Sequence, residues 1–169
     1  MRGRGRFLLA LASSALVAAA GVHAASGAAG DFARAGGVQL DLPDGWSKVS
    51  PAREATLGDP RTLLVIGTDG VRAMQSDCQV ATYRVPADGA VVVVIGWRES
   101  VGGASFLPLS GMKLRRGTFE CFSGRGAVAR VSRRDRDFQV NVLVGDRASE
   151  STIDDALGAA RSLGLAPRT

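Results

Sequence analysis

The period of apolar and polar positions changes several times along the chain, and each change predicts an element. From Gly37, "GVQLDLPDGWSKV" sets Val38, Leu40 and Leu42 against Gln39 and Asp41, then reaches Pro43, Asp44 and Gly45. A period of two that ends in turn formers predicts a half-buried strand and a reversal, with Trp46 beginning the return as a core or sheet-packing residue. "RTLLVIGT" at 61–68, bounded by Asp59-Pro60 and Asp69-Gly70, reads as a buried strand. "CQVATYRVP" and "AVVVVIGWRE" flank Ala87-Asp88-Gly89 and predict a hairpin. The β-branched run from Val91 predicts that its second arm lies centrally, covered on both faces.

"FECFSGRGAVARVSRRDRDFQVNVLVG" predicts a second hairpin with its turn at Arg133 to Arg136. Ser132 then pairs with Asp137, Val131 with Phe138, Arg130 with Gln139 and Ala129 with Val140. One face becomes wholly apolar, continued by Ala127 and Val142, and the other carries Arg130, Gln139 and Asn141. A slip of one residue would oppose apolar to polar side chains, so the pattern itself selects this register. Between the hairpins, residues 100–118 show no sustained period. A loop of that length is either functional or conceals an element; its Phe106, Leu107, Leu109 and Met112 are candidates to cap the core or line a groove. Near the end, Ile153, Ala156, Leu157, Ala160 and Leu163 recur at helical spacing, with Ser151 and Asp154 as a capping box. Strands followed by one terminal helix predict an α+β domain: a single antiparallel β-sheet with the C-terminal helix packed on one face.

The amino terminus changes how charge is read. "MRGRGR" precedes sixteen uncharged residues, Phe7 to Val22, the pattern of a secretory signal, with cleavage expected after Ala24. The predicted organisation is a signal peptide over 1–24, a flexible linker over 25–37 and one domain over 38–166. Secretion or another extracytoplasmic location follows, with no membrane span once the signal is removed. Of the 21 basic residues, three lie in the signal, so the remaining 18 against 16 acidic residues leave only +2. That balance argues against a general attraction to nucleic acid. It is uneven, however: Lys113 to Arg136 holds eight basic residues against Glu120 and Asp135.

Export also places Cys78 and Cys121 where disulfides persist, so a bridge between them is expected, worth about 4 kcal/mol by chain entropy. A redox-active thiol is the alternative, without C-x-x-C spacing to support it. The one histidine, His23, falls within the signal. Ser-His-Asp and Cys-His catalysis and histidine-based zinc sites are therefore not expected in the exported chain, and neither a cofactor nor a metal is implied. "GRGAVA" at 124–129 matches a dinucleotide motif in letters, but its glycines open a strand instead of a helix. The carboxylate pairs Asp135/Asp137 and Asp154/Asp155 have structural explanations at a turn and at a helix start. This leaves Lys113, Arg115, Arg116, Arg133, Arg134 and Arg136 as the candidate binding residues, since guanidinium forks suit phosphate and carboxylate. The competing explanation is a solvated loop and a charged hairpin tip that discourages edge pairing. Aromatics are not interleaved with these residues, which argues against nucleic-acid readout.

Three stretches, "GGVQLDLPDGWSKVSP", "RDFQVNVLVG" and "ALGAARSLGL", together resemble the exported bacterial relatives of the PsbP-like superfamily, including LpqN-type actinobacterial envelope proteins. Such domains open with a Leu-Pro-x-Gly-Trp turn and close with a strand and a helix. The resemblance spans roughly 37–165 and implies an antiparallel sheet with flanking helices and an accessory or binding role without catalysis. The lipid-attachment cysteine of the lipoprotein members is missing. The expected function is a secreted, non-catalytic binding or accessory module of the bacterial cell envelope. Its expected partner is an envelope protein or an anionic polymer, met through the basic loop and hairpin. The alternatives are a histidine-free hydrolase with its site under the 100–118 loop, or a small-ligand carrier with an apolar cavity between helix and sheet.

Overall fold

The computed structural model describes residues 30–51, 59–75, 83–99, 107–119 and 122–167. Two long strands, β9 (Phe122–Arg133) and β10 (Arg136–Val144), form the predicted hairpin, with all four predicted pairs in register. β10 also pairs with β7 (Ala90–Gly96), β7 with β4 (Arg61–Gly67), and β4 with the short β3 (Ser47–Lys48). β8 (Arg115–Phe119) closes the opposite edge, so the antiparallel order is β3-β4-β7-β10-β9-β8. β7 is buried throughout, as its unbroken apolar run predicts for a strand covered on both faces.

The helix α1 (Glu150–Arg161) packs on β7 and β10 through Ile153, Ala156, Leu157 and Ala160, the predicted stripe, joined by Leu163 just beyond its end. A helix of twelve residues is marginal alone, so this burial holds it. Its N-cap is Ser149, whose Oγ accepts from the Thr152 amide at 3.1 Å, and not the expected Ser151. The earlier serine sits at the extended residue just before the helix, where its oxygen reaches the orphan amide.

Beside the helix, β1 (Phe32–Ala35), β2 (Val38–Asp41) and β11 (Gly164–Leu165) form a second, three-stranded sheet, and β5 (Arg72–Ala73) pairs with β6 (Tyr83–Arg84) in a third. The described residues are therefore mostly antiparallel sheet with one C-terminal helix, an α+β arrangement, but not a single sheet. Two sequence expectations change. The linker does not extend to residue 37: Phe32–Ala35 pairs with β2 across Gly36-Gly37, whose φ values of 59° and 79° suit a two-residue turn that glycine enters without strain. The hairpin expected around Ala87-Asp88-Gly89 does not pair β6 with β7. The turn is present, with the Gly89 amide donating to Pro86 O, but both edges of β7 are already taken by β4 and β10. The expected signal segment over 1–24, Phe106, and the Cys78–Cys121 bridge lie outside the described residues.

The β9–β10 turn places Arg134 at φ 48° and Asp135 at φ 61°. Both central positions of such a turn favour Asn-Gly, and side chains other than these carry strain there. The pair Arg134→Asn and Asp135→Gly is expected to raise stability by about 1 kcal/mol, read by thermal melting.

Candidate functional site

The large sheet has two unlike faces. Even positions of β10 (Phe138, Val140, Val142) join the helix-side core, while Asp137, Gln139, Asn141 and Leu143 turn to the outer face. Over β4 and β7 that outer face is apolar, with Val65, Val91, Val93 and Ile95 packed around Tyr83. Over β8, β9 and β10 it is polar, and there a groove of about 330 Å³ opens. It is lined by Leu107, Arg115, Thr118, Phe119, Val128, Arg130, Gln139 and Asn141.

Local sequence shapes this groove. "RRGTF", lost in the aperiodic 100–118 stretch, forms the edge strand β8, which pairs with β9 from Arg115↔Gly126 to Phe119↔Phe122. Gly126 lacks the Cβ that would meet Val142 O at 2.8 Å and the Phe119 ring at 3.0 Å, so the ring folds over the strand and walls the groove. Leu107 bridges to Arg130 on the same edge of β9, its carbonyl accepting the Arg130 amide at 3.0 Å. Leu109 and Met112 turn into the core, as expected of apolar residues in this loop, whereas Leu107 remains 50% exposed at the groove rim.

A hydrogen-bond relay runs along the floor. Arg130 Nε donates to Gln139 Oε1 at 2.8 Å, and Gln139 Nε2 donates to Asn141 Oδ1 at 3.0 Å. Arginine has no acceptor, so it fixes both amide orientations: oxygen toward Arg130, nitrogen onward, and the Asn141 amino group at the end. Gln139 and Asn141 are 4% and 2% exposed, and among the described residues Asn141 Nδ2 has no acceptor. A buried donor without a partner costs about 1–3 kcal/mol, so the groove ends in a donor that is costly to leave empty-handed. Arg115 lies 5.4 Å over the centroid of the Phe119 ring, which steadies its guanidinium at the rim. Among the described lining residues there are two guanidiniums, no carboxylate and no histidine or cysteine.

The six residues singled out from sequence do not form one surface. Gly126, opposite Arg115, lies seven residues along β9 from Arg133, about 23 Å at about 3.3 Å per residue. Arg115 lines the groove; Arg116 pairs with Asp146 at 3.2 Å, both well exposed, an interaction worth little. Lys113, Arg133 and Arg134 are exposed, with Arg133 Nη1 donating to Ser132 O. Arg136 turns to the helix side, 5.2 Å over the Phe138 ring. Arg130, Gln139 and Asn141 were legible as a polar strand face but not as a site. Two amides at alternate positions in the apolar run from Phe138 to Val144 were the available signal. The glycines of "GRGAVA" sit within β9, so no helix N-terminus meets them. Among the described residues no cluster of metal ligands occurs, and no helix is long and apolar enough to cross a membrane. Neither the protein-family models nor the curated proteins provide a match for this chain.

Proposed function

We propose that this chain is a secreted, non-catalytic binding module of the bacterial cell envelope that holds a carboxylate of its partner in the outer-face groove. The buried Asn141 Nδ2, without an acceptor among the described residues, carries the proposal, because Asn141 lines a groove of about 330 Å³ together with Arg115 and Arg130. That volume falls in the range of small-ligand sites, about 300–1,000 Å³. Two guanidinium forks and an amide donor complement the in-plane lone pairs of one carboxylate. Leu107, Phe119 and Val128 offer contact to an apolar body attached to it. The groove lies against the end of the 100–118 loop, where a hydrolase site was the alternative, but its described lining supplies donors and not a general base. A carrier cavity between helix and sheet is less favoured, because Ile153, Ala156 and Leu157 fill that interface. The PsbP-like reading is supported by the Pro43–Trp46 turn, whose Trp46 amide donates to Pro43 O at 3.1 Å, and by the closing β10 and α1.

Phenylacetate is a suitable probe, since it joins a carboxylate to a ring of the size of the apolar walls. Calorimetric titration of the full-length protein is expected to show saturable binding of phenylacetate and none of the uncharged phenylacetamide. Equal binding of the two, or none of either, overturns the proposal.

A further inference from the structure

A second cleft, separate from the groove, lies where the large sheet meets the β1–β2 turn. Its volume is about 580 Å³, and its lining is Gly36, Arg61, Thr62, Leu63, Arg98 and Arg136. Three arginines from distant points in the sequence meet here because of strand register. Arg61 opens β4 opposite Gly96, Gly96 also pairs with Phe138, and Arg98 and Arg136 each lie two residues outward from that row.

Two of the three are anchored locally. Arg136 lies over the Phe138 ring, with its Nη1 beside Gly37 of the β1–β2 turn. The Arg98 backbone is anchored, its amide donating to both Asp59 carboxylate oxygens at 3.1 and 3.3 Å. Asp59 faces the Arg98 backbone amide, and among the described residues none of the three guanidiniums has an ion pair; Arg116–Asp146 is the pair that occurs. Three guanidiniums against the single nearby carboxylate of Asp59 leave the cleft an excess of positive charge that an anion would balance.

We infer that this cleft binds a phosphate group. A carboxylate offers two oxygens and a single charge, which two guanidinium forks already fill, whereas a phosphate monoester presents three terminal oxygens and nearly two negative charges, enough acceptors for three forks. The phosphate can belong to a soluble monoester or to a lipid headgroup.

Backbone amide spectra of the full-length protein, titrated with inorganic phosphate and with acetate at matched ionic strength, test the inference. Saturable shifts at Gly36, Thr62 and Arg98 are expected with phosphate and not with acetate. The variant Arg61→Gln/Arg136→Gln is expected to weaken phosphate binding about tenfold or more. Arg61→Lys/Arg136→Lys, which keeps charge but loses the forks, is expected to fall between it and the parent. The groove variant Arg115→Gln/Arg130→Gln is expected to bind phosphate normally, which separates this inference from the proposed function. Sedimentation with vesicles of phosphatidic acid in phosphatidylcholine assigns the phosphate to a lipid headgroup; binding of inorganic phosphate without sedimentation assigns it to a soluble monoester. Equal responses to phosphate and acetate, or unchanged binding in the glutamine variant, overturn the inference.

Discussion

Phe138→Ala is expected to destabilise the domain by about 3–5 kcal/mol, the range for removing a buried aromatic ring. Phe138 is 1% exposed and lies on a central strand, in the row where β7 ends, flanked by Gly96 on β7 and Val131 on β9. Gly96 offers no side chain to refill the space, its backbone is fixed by pairing on both sides, and the Leu63 side chain that lies over it is the neighbour left to move. Collapse into the vacancy is limited to what Leu63 can fill, which keeps the cost within that range. For a domain of this size the melting temperature should fall by about 10–17 °C. Denaturant unfolding checks the size of the effect, and a loss below about 1 kcal/mol would mean that the Phe138 ring is not tightly packed in the helix-side core. The same substitution removes the ring beneath Arg136. Weaker phosphate binding by the remaining folded protein is the accompanying expectation.

Strand register was legible where one face had to be apolar. The β9–β10 alignment follows from Ala127, Ala129, Val131, Phe138, Val140 and Val142 alone, because any slip would bury charge. The C-terminal stripe was legible for the same reason at a different period. What local pattern did not supply was partner choice. Val91 to Ile95 announces a central strand without saying which strands flank it, and the nearest arm in sequence proved not to be a neighbour. Nor did periodicity reveal β8, since "RRGTF" is an exposed edge strand for most of its length and lacks an apolar face. Phe32–Ala35 was missed because small residues around it conceal a four-residue strand that pairs through a glycine turn. The basic window was visible as charge but not as geometry: Arg115 and Arg136 fall in different sites, and Arg61 and Arg98 join the second only through long-range pairing.

Arg130→Ala is expected to act on binding more than on stability. It removes the donor to Gln139 Oε1 and one of the two guanidiniums in the groove. Charged hydrogen bonds of this kind contribute about 1.5–3 kcal/mol, so phenylacetate affinity should fall by about 10- to 150-fold. Arg130 itself is exposed, so water reaches the vacated position and the stability loss should stay near about 1 kcal/mol. Arg130→Lys keeps the charge but not the fork and is expected to recover only part of the affinity. Full affinity in Arg130→Ala would remove Arg130 from the site.

The most direct measurement follows the side-chain amide signals of Asn141 in nitrogen–proton spectra as phenylacetate is added to the full-length protein. A carboxylate seated between Arg115 and Arg130 gives Asn141 Nδ2 its missing acceptor. Both Nδ2 protons should then shift and exchange more slowly, with the midpoint seen by calorimetry and with no response to phenylacetamide. Asn141 signals that stay unchanged while phenylacetate binds, or that move equally with phenylacetamide, would contradict the groove as a carboxylate site.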